Sequence, residues 1–197
     1  MCSIAATRIQ RELKDIKSEC SGQNIKIELH NDQFDLLKGE IVGPPGTPYQ
    51  GGIFKLSIKI PETYPFNPPK VSFDTKIWHP NISSVTGAIC LDILKDQWAA
   101  ALTLRTVLLS LQALLSAAEP DDPQDAVVAR QYKENRSAFI KTAKFWAQIY
   151  ANAPGQRDGD CVEKLKKVTE MGFYRDISLQ ALSSNSWSLA DALDNIG

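Results

Sequence analysis

The irregular stretch from Lys76 to Ala101 contains the residues best suited to chemistry, and Cys90 is the candidate nucleophile among them. Long stretches without helical or strand periodicity are uncommon in compact domains and are often functional. A lone cysteine is more often a small buried hydrophobe than a nucleophile, so its position alone is weak evidence. The context strengthens the case, because the segment His79 to Asn81 comes shortly before Cys90 and Trp98 comes shortly after it.

Two polar side chains could assist a reaction at Cys90. The Asn81 amide can donate to a developing oxyanion, an effect of about 2–4 kcal/mol when the donor is preorganised. Alternatively, it braces its own loop. Asp122 lies in the turn from Glu119 to Pro123. Its carboxylate can orient an ammonium group and accept a proton, or it is simply a turn residue. The residues alone leave both pairs of alternatives open.

His79 invites comparison with a cysteine–histidine pair, in which it would act as a base. We favour the alternative that His79 packs and hydrogen-bonds inside its loop. Pro80 follows it directly and restricts the backbone of the residue before it, which suits a shaped loop.

Composition excludes several classes of function. The chain has 197 residues and a formal net charge of -1, so no global field recruits nucleic acid or a membrane surface. No apolar run reaches the length of a bilayer span. The residues from Met1 to Gln10 lack the basic-then-apolar layout of a signal peptide. We expect a cytoplasmic protein that can also occur in the nucleus, with neither nucleic acid nor membrane as a partner.

The four cysteines are far apart and form no C-x-x-C pair; they are Cys2, Cys20, Cys90 and Cys161. The spacing argues against a zinc site and against a disulfide framework. Each should be a free thiol in a reducing compartment. The chain also lacks the glycine-rich loop of nucleotide-binding proteins. We therefore expect no cofactor and no metal.

The first half of the chain changes from helical to strand periodicity. Residues Ile4 to Cys20 predict an amphipathic helix that stops at Gly22. Apolar residues then alternate with polar ones in short runs around Ile27, Ile41, Leu56 and Val71. Short connections between such strands favour an antiparallel meander with one wet face.

The second half is helical. Leu104 to Leu115 predicts an apolar helix capped by Thr103. Two more helices are predicted near Gln124 to Glu134 and Ser137 to Tyr150. We interpret residues 151–157 as a linker, and residues 158–197 as a small domain of three short helices. The fold class is therefore α+β, with a three-helix bundle after it.

Several separate motifs resemble the core of ubiquitin-conjugating enzymes in that family's order. They are Tyr64-Pro65-Phe66-Asn67-Pro68-Pro69, Trp78-His79-Pro80-Asn81, Cys90-Leu91-Asp92, Gln97-Trp98 and Pro120-Asp121-Asp122-Pro123. The resemblance implies a conjugating catalytic core over residues 1–150. It also implies a four-stranded antiparallel sheet, with about four α-helices packed on one side and at the ends.

The tail resembles a ubiquitin-associated domain, through Met171-Gly172-Phe173. Glycine there allows the left-handed conformation that ends a helix. A conjugating core followed by such a domain resembles the class that builds the polyubiquitin chains read by the proteasome.

The implied activity is acyl transfer through a thioester on Cys90. Thiols have a reference pKa of about 8.5, far below alkyl amines, so a thiolate is the better leaving group and a thioester suits transfer to lysine. The covalent intermediate splits one hard condensation into two easier steps. Because nothing here binds nucleotide, an activating enzyme must supply the activated ubiquitin. The resemblance gives Asn81 an oxyanion or loop-bracing role, places Asp122 beside the acceptor lysine, and makes His79 and Pro80 structural.

The resemblance also implies contact surfaces. Arg8 and Arg11 would dock an acidic surface of the activating enzyme, although a helix charge run is usually a solvated face. Residues in two loops would meet that enzyme and RING-type or other ligases; they are Phe66, Trp98 and Ala99. Leu109 is either core or a contact for donor ubiquitin. Met171, Gly172 and Phe173 would bind ubiquitin, or pack in the tail core. We expect a monomer acting on protein substrates.

Two departures from the family pattern concern the site. About one extra residue, around Ser83 to Thr86, separates Asn81 from Cys90, and Ala99 and Ala100 stand where many relatives have Ser-Pro. Three rival hypotheses remain: a ubiquitin adaptor without catalysis, a cysteine hydrolase, and a conjugating enzyme for a ubiquitin-like modifier.

Overall fold

The fold is that of a computed structural model, which describes residues 4–19 and 24–196. The first helix, α1, spans Ile4–Glu19, in agreement with the predicted amphipathic pattern. Cys20 and Gly22, where its end was expected, lie outside the described residues, as does Cys2. No helix in the described ranges is long and apolar enough to cross a membrane.

A four-stranded antiparallel sheet follows in the order of the sequence, which confirms the predicted meander. Its strands are β1 (Ile25–His30), β2 (Gln33–Val42), β3 (Ile53–Lys59) and β4 (Lys70–Phe73). Strand β3 shows why one face is dry, since Phe54, Leu56 and Ile58 are buried. On the wet face, the Ser57 hydroxyl lies 2.7 Å from a carboxylate oxygen of Asp74.

Three further helices complete the core region, namely α2 (Leu104–Ser116), α3 (Ala126–Glu134) and α4 (Arg136–Tyr150). Thr103 caps α2 by accepting from the Thr106 N–H, as predicted. Helix α3 begins two residues later than expected, because the Asp125 side chain accepts from the Val128 N–H and is the N-cap rather than a helical residue.

The tail forms the three expected short helices, α5 (Gly159–Glu170), α6 (Arg175–Ser184) and α7 (Leu189–Asp194). Residues 151–157, interpreted as a linker, lie against the core. The Ala151 carbonyl accepts from the Ile53 N–H at 2.8 Å, and the Gln148 amide donates to the carbonyls of Gly155 and Gln156. The connection between α4 and α5 is therefore fixed to the sheet and to α4.

The tail is also packed onto α4 through buried aromatic side chains. The Trp187 indole N–H donates to the Thr142 hydroxyl at 2.8 Å, and its ring meets Phe145 edge-on. The Trp146 indole N–H donates to the Ser183 hydroxyl at 2.8 Å. Both indole N–H groups at this interface are paired, as buried polar groups normally are. The apolar side chains of the tail and the core form one buried cluster. Helical periodicity alone did not predict this docking.

Candidate active site

Cys90 lies at the end of a small hairpin that starts at Asn81. The Cys90 N–H donates to the Asn81 carbonyl at 2.8 Å, and the Ser83 N–H donates to the Ala88 carbonyl at 2.9 Å. Gly87 turns the hairpin with φ +73°. A Cβ on Gly87 would lie 2.0 Å from the Phe73 carbonyl oxygen, so the turn requires glycine. The hairpin is thereby held against β4.

The Cys90 thiol is partly exposed and lies between two opposite charges. Its sulfur is 3.4 Å from the Asp122 carboxylate and 3.2 Å from the Lys95 ammonium. The hydrogen bond to Cys90 and the charges of Cys90 and Asp122 raise the pKa of Lys95, so Lys95 remains cationic. This arrangement provides a nucleophile with a carboxylate on one side and a cation on the other.

Sequence reasoning named Cys90 and Asp122 but missed Lys95 as a neighbour of the thiol. A short 3-10 helix, Asp92–Leu94, directly follows the cysteine and turns the chain back. The Lys95 N–H donates to the Asp92 carbonyl at 2.9 Å in this turn. A lysine five residues after a cysteine, with an intervening aspartate that favours a turn, was the available signal.

Asn81, whose carbonyl accepts from the Cys90 N–H, is only 2% exposed. Its amide nitrogen donates to the carbonyls of Glu119 and Asp122, both at 2.9 Å. Its amide oxygen accepts from the Glu119 N–H at 2.8 Å. All three contacts go to the loop that carries Asp122, so the Asn81 side chain braces that loop here. An oxyanion role would require one of its N–H groups to leave a carbonyl.

His79 is fully buried and has no free nitrogen. Its Nδ1 accepts from the Asn81 N–H at 3.0 Å, so Nε2 carries the proton and donates to the Leu114 carbonyl at 3.0 Å. Burial lowers the pKa of His79 to about 4, which keeps the ring neutral. This geometry favours the alternative in which His79 packs and hydrogen-bonds inside its loop. His79 therefore does not supply the base that a cysteine hydrolase needs.

Pro80 connects the same segment to the start of α3. Its carbonyl accepts from the N–H groups of Gln124 and Asp125, both at 2.9 Å. The loop from Glu119 to Pro123 that carries Asp122 is called the carboxylate loop below. This loop and the hairpin that ends at Cys90 therefore share one buried support, built from His79, Pro80 and Asn81.

The candidate partner surface around Phe66 is exposed. Phe66 is 72% exposed, one residue after the cis peptide bond between Tyr64 and Pro65. Trp98 is half-buried, since its indole N–H donates to the Pro65 carbonyl at 2.8 Å. It therefore holds two loops together, while its neighbour Ala99 is exposed. On α2, Leu109 is 39% exposed, which leaves it accessible to a partner.

The two α1 arginines differ. Arg8 is tied down, because its guanidinium lies 2.6 Å from the Glu12 carboxylate and 3.2 Å from the Leu102 carbonyl. The hydrogen bond to Glu12 raises the pKa of Arg8. Arg11 is exposed to solvent. Of this pair, Arg11 is the more available for docking.

The candidate ubiquitin patch lies on the turn between α5 and α6. Gly172 has φ +98°, the left-handed conformation predicted for it. Met171 is 60% exposed and Phe173 is half-buried. The turn thus presents Met171 to solvent, and Phe173 contributes partly to the tail core.

Cys161, the other cysteine among the described residues, does not compete with Cys90 as the candidate nucleophile. Cys161 is fully buried in α5, and burial raises the pKa of its thiol to about 12. Within the ranges 4–19 and 24–196, no group of three His, Cys, Asp or Glu residues could hold a metal ion.

A partly exposed thiol between a carboxylate and a cation, on an α+β core, has the groups that a cysteine acyl-transfer enzyme uses. The family described as "Ubiquitin-conjugating enzyme" matches residues 8–147. The chain is 62% identical to human "Ubiquitin-conjugating enzyme E2 K" over 98% of both chains, and 58% identical to "Ubiquitin-conjugating enzyme E2-22 kDa" of Drosophila melanogaster over 100% of this chain and 99% of that one. Its fold is similar to the E2 domain of a Toxoplasma gondii ubiquitin conjugating enzyme, with a TM-score of 0.70 and 52% identity, over 74% of this chain and 97% of that one.

The chain therefore belongs to the ubiquitin-conjugating enzyme family and acts with ubiquitin, an activating enzyme, ligases and protein substrates.

Proposed function

We propose that Cys90 carries ubiquitin as the thioester and passes it to lysine amines, building polyubiquitin chains of the proteasome-targeting linkage. The observation that carries this proposal is the partly exposed Cys90 sulfur, 3.4 Å from Asp122 and 3.2 Å from Lys95. No other described cysteine is accessible, since Cys161 is buried.

Each charged neighbour has one role in this proposal. In the loading step, the Cys90 sulfur attacks the thioester carbonyl of the activated ubiquitin, and the activating enzyme's sulfur leaves and takes up the proton that the Cys90 thiol loses. In the transfer step, the lysine nitrogen attacks the Cys90 thioester and the Cys90 sulfur departs as a thiolate. The Asp122 carboxylate accepts the proton that the lysine loses, and the Lys95 ammonium is the electrostatic partner of the departing sulfur.

Asn81 supports the transfer step by bracing Asp122. Its contacts to the carbonyls of Glu119 and Asp122 hold the carboxylate loop in position beside the Cys90 thiol. Rotation of the amide would also supply an N–H to the oxyanion of the tetrahedral intermediate, an effect of about 2–4 kcal/mol when such a donor is preorganised.

The loading assay tests the proposal directly. The chain is incubated with activating enzyme, ATP and ubiquitin, and the product is resolved with and without a thiol reductant. We expect a reducible adduct that is absent from Cys90→Ala and retained by Cys161→Ala, the matched control. An adduct that survives in Cys90→Ala would contradict the assignment. Competition with ubiquitin-like modifiers in the same assay tests the choice of modifier.

The surfaces take roles from their exposure. Arg11, with Arg8 beside it, would dock the activating enzyme, and Phe66, Trp98 and Ala99 would form the ligase surface. We also propose that residues 1–150 are the catalytic core and residues 158–197 a ubiquitin-associated domain. The protein would act as a monomer in the cytoplasm, with the nucleus as an alternative, and without nucleic acid or membrane.

The tail would hold ubiquitin at Met171, Gly172 and Phe173, and so raise the effective concentration of the growing chain. Because the tail shares a buried interface with α4, deleting it would expose apolar core; point variants are the better test. We expect Met171→Ala to shorten the chains made per encounter about threefold or more, whereas Val162→Ala, an exposed apolar control on α5, leaves them unchanged. Linkage-resolved mass spectrometry of the free chains identifies the linkage, and unchanged chain length would contradict the role of the patch.

A further inference from the structure

The tail touches the active-site hairpin at one polar contact. The Gln180 amide of α6 lies 3.2 Å from the Ser84 hydroxyl, at the tip of the hairpin that ends in Cys90. Ser84 is 4% exposed, so water competes little for this bond.

Ser84 also bonds to the segment that follows Asp122. Its hydroxyl lies 2.7 Å from the Asp125 carboxylate, and its N–H donates to the same oxygen at 3.0 Å. The Asp125 N–H in turn donates to the Pro80 carbonyl. Ser84 and Asp125 therefore join the Cys90 hairpin to the segment that positions Asp122.

The hydroxyl of Ser84 has one proton, and its two neighbours determine where that proton points. Asp125 can only accept, so Ser84 donates to it. Gln180 approaches the oxygen lone pair with an amide N–H, which leaves no alternative direction for the proton. The Gln180 donor thus fixes the Ser84–Asp125 bond rather than competing with it.

We infer that Ser84 and Gln180 are positioning residues through which the tail sets the geometry of Cys90 relative to Asp122 during lysine attack. The inference rests on the proposed function of Cys90. Small displacements of reacting groups slow a reaction strongly, even when the displaced residue does not touch the substrate. Loosening Ser84 should therefore slow transfer to lysine while loading, which needs only an accessible thiol, proceeds.

The test measures loading and single-turnover discharge to free lysine separately, with the full chain. We expect Gln180→Ala and Ser84→Ala each to lower the maximal discharge rate about fivefold, the size of one shielded hydrogen bond, with the KM for lysine unchanged. Ser84→Thr keeps the hydroxyl and should restore most of the rate. Gln180→Glu places an acceptor against an oxygen whose proton is already committed, so it should be at least as slow as Gln180→Ala.

A double-mutant cycle separates positioning from general destabilisation. The Gln180→Ala and Ser84→Ala double variant should discharge no more slowly than Ser84→Ala alone. Each substitution already removes the same hydrogen bond between Gln180 and Ser84. Asp160→Asn is the matched control, since it weakens a different tail-to-core contact by removing the charge that Asp160 places 2.8 Å from Lys141. It should discharge at the parental rate.

Three results would overturn the inference. They are a parental discharge rate in Gln180→Ala, an equal loss in Asp160→Asn, and additive losses in the double variant. If Gln180→Ala and Ser84→Ala load with ubiquitin and discharge at the parental rate, the inference alone is contradicted. If the parental chain never loads at Cys90, the proposed function and the inference are contradicted together.

Discussion

Two buried polar side chains brace two different candidate functional regions of this molecule. Asn81 supports the loop of Asp122 beside Cys90, and Glu12 supports the loops around Phe66 and Trp98. Asn81 is 2% exposed and Glu12 is 5% exposed. One brace is a neutral amide and the other is a carboxylate.

The Glu12 carboxylate accepts hydrogen bonds from three groups, one on its own helix and two outside it. Its Oε1 lies 2.6 Å from the Tyr64 hydroxyl and 2.6 Å from the Arg8 guanidinium, and its Oε2 accepts from the Leu104 N–H at 2.7 Å. Burial and the hydrogen bond to Glu12 raise the pKa of Tyr64. A buried charge is stable only when it is paired and hydrogen-bonded, and Glu12 meets that condition at the start of α2.

The difference concerns what each region must tolerate. A charge at position 81, where the side chain contacts the Asp122 carbonyl, would add to the fields of Asp122 and Lys95, whereas an amide braces the loop without adding net charge. The loops of Phe66 and Trp98, which we propose to meet partners, carry no reacting group, so a charged brace does not interfere with chemistry there. The bond from Tyr64 to Glu12 also links α1, a candidate docking surface, to the loop of Phe66.

Removing the neutral brace should have the largest effect. Asn81→Ala leaves the Glu119 N–H and two carbonyls without their partners, and should lower the free energy of unfolding by about 3 kcal/mol. Because Asp122 loses its support, lysine discharge should fall by about a hundredfold or more. Denaturant unfolding and single-turnover discharge measure the two effects. A normal discharge rate in the folded variant would show that Asn81 does not position Asp122.

The second prediction concerns the pH dependence of stability. It follows from His79, whose buried ring accepts from the Asn81 N–H and donates to the Leu114 carbonyl. Its pKa is about 4 when folded and about 6.5 when unfolded, so the unfolded chain binds the extra proton first. The stabilising contribution is complete above about pH 6.5 and is lost as the pH falls through about 4, amounting to about 3 kcal/mol.

Urea unfolding between pH 4 and 7 measures this loss as the slope of the free energy of unfolding against pH. His79→Gln should reduce that slope. His30→Gln, at the other histidine of the chain, is the control and should retain it. An unchanged slope in His79→Gln would mean that other groups cause the acid sensitivity.

The sequence predicted the strand order, the capped helix α2 and the candidates Cys90, Asn81 and Asp122, because periodicity and local motifs encode them. It missed contacts that join distant segments. Lys95 approaches the thiol only because the 3-10 helix Asp92–Leu94 reverses the chain.

The docking of Trp187 onto Thr142 likewise depends on tertiary packing, which periodicity does not encode. The interpretation of residues 151–157 as a linker reflected the break in helical periodicity there. The bonds that hold this segment come from Ile53 and Gln148, which lie outside it.

Replacing the charged brace by an amide should have the smallest of the three effects. In Glu12→Gln the side chain has one acceptor oxygen for three donors, and its new N–H₂ group faces a donor. The free energy of unfolding should fall by about 2 kcal/mol, and ligase-stimulated discharge should fall more than discharge without ligase, since Phe66 and Trp98 lie on the loops that Glu12 supports. Asp15→Asn, an exposed carboxylate on the same helix, changes the net charge equally and should change neither quantity. If Glu12→Gln slowed both discharge rates equally, the two braces would not serve separate regions, and the Cys90 site would depend on the buried carboxylate as well.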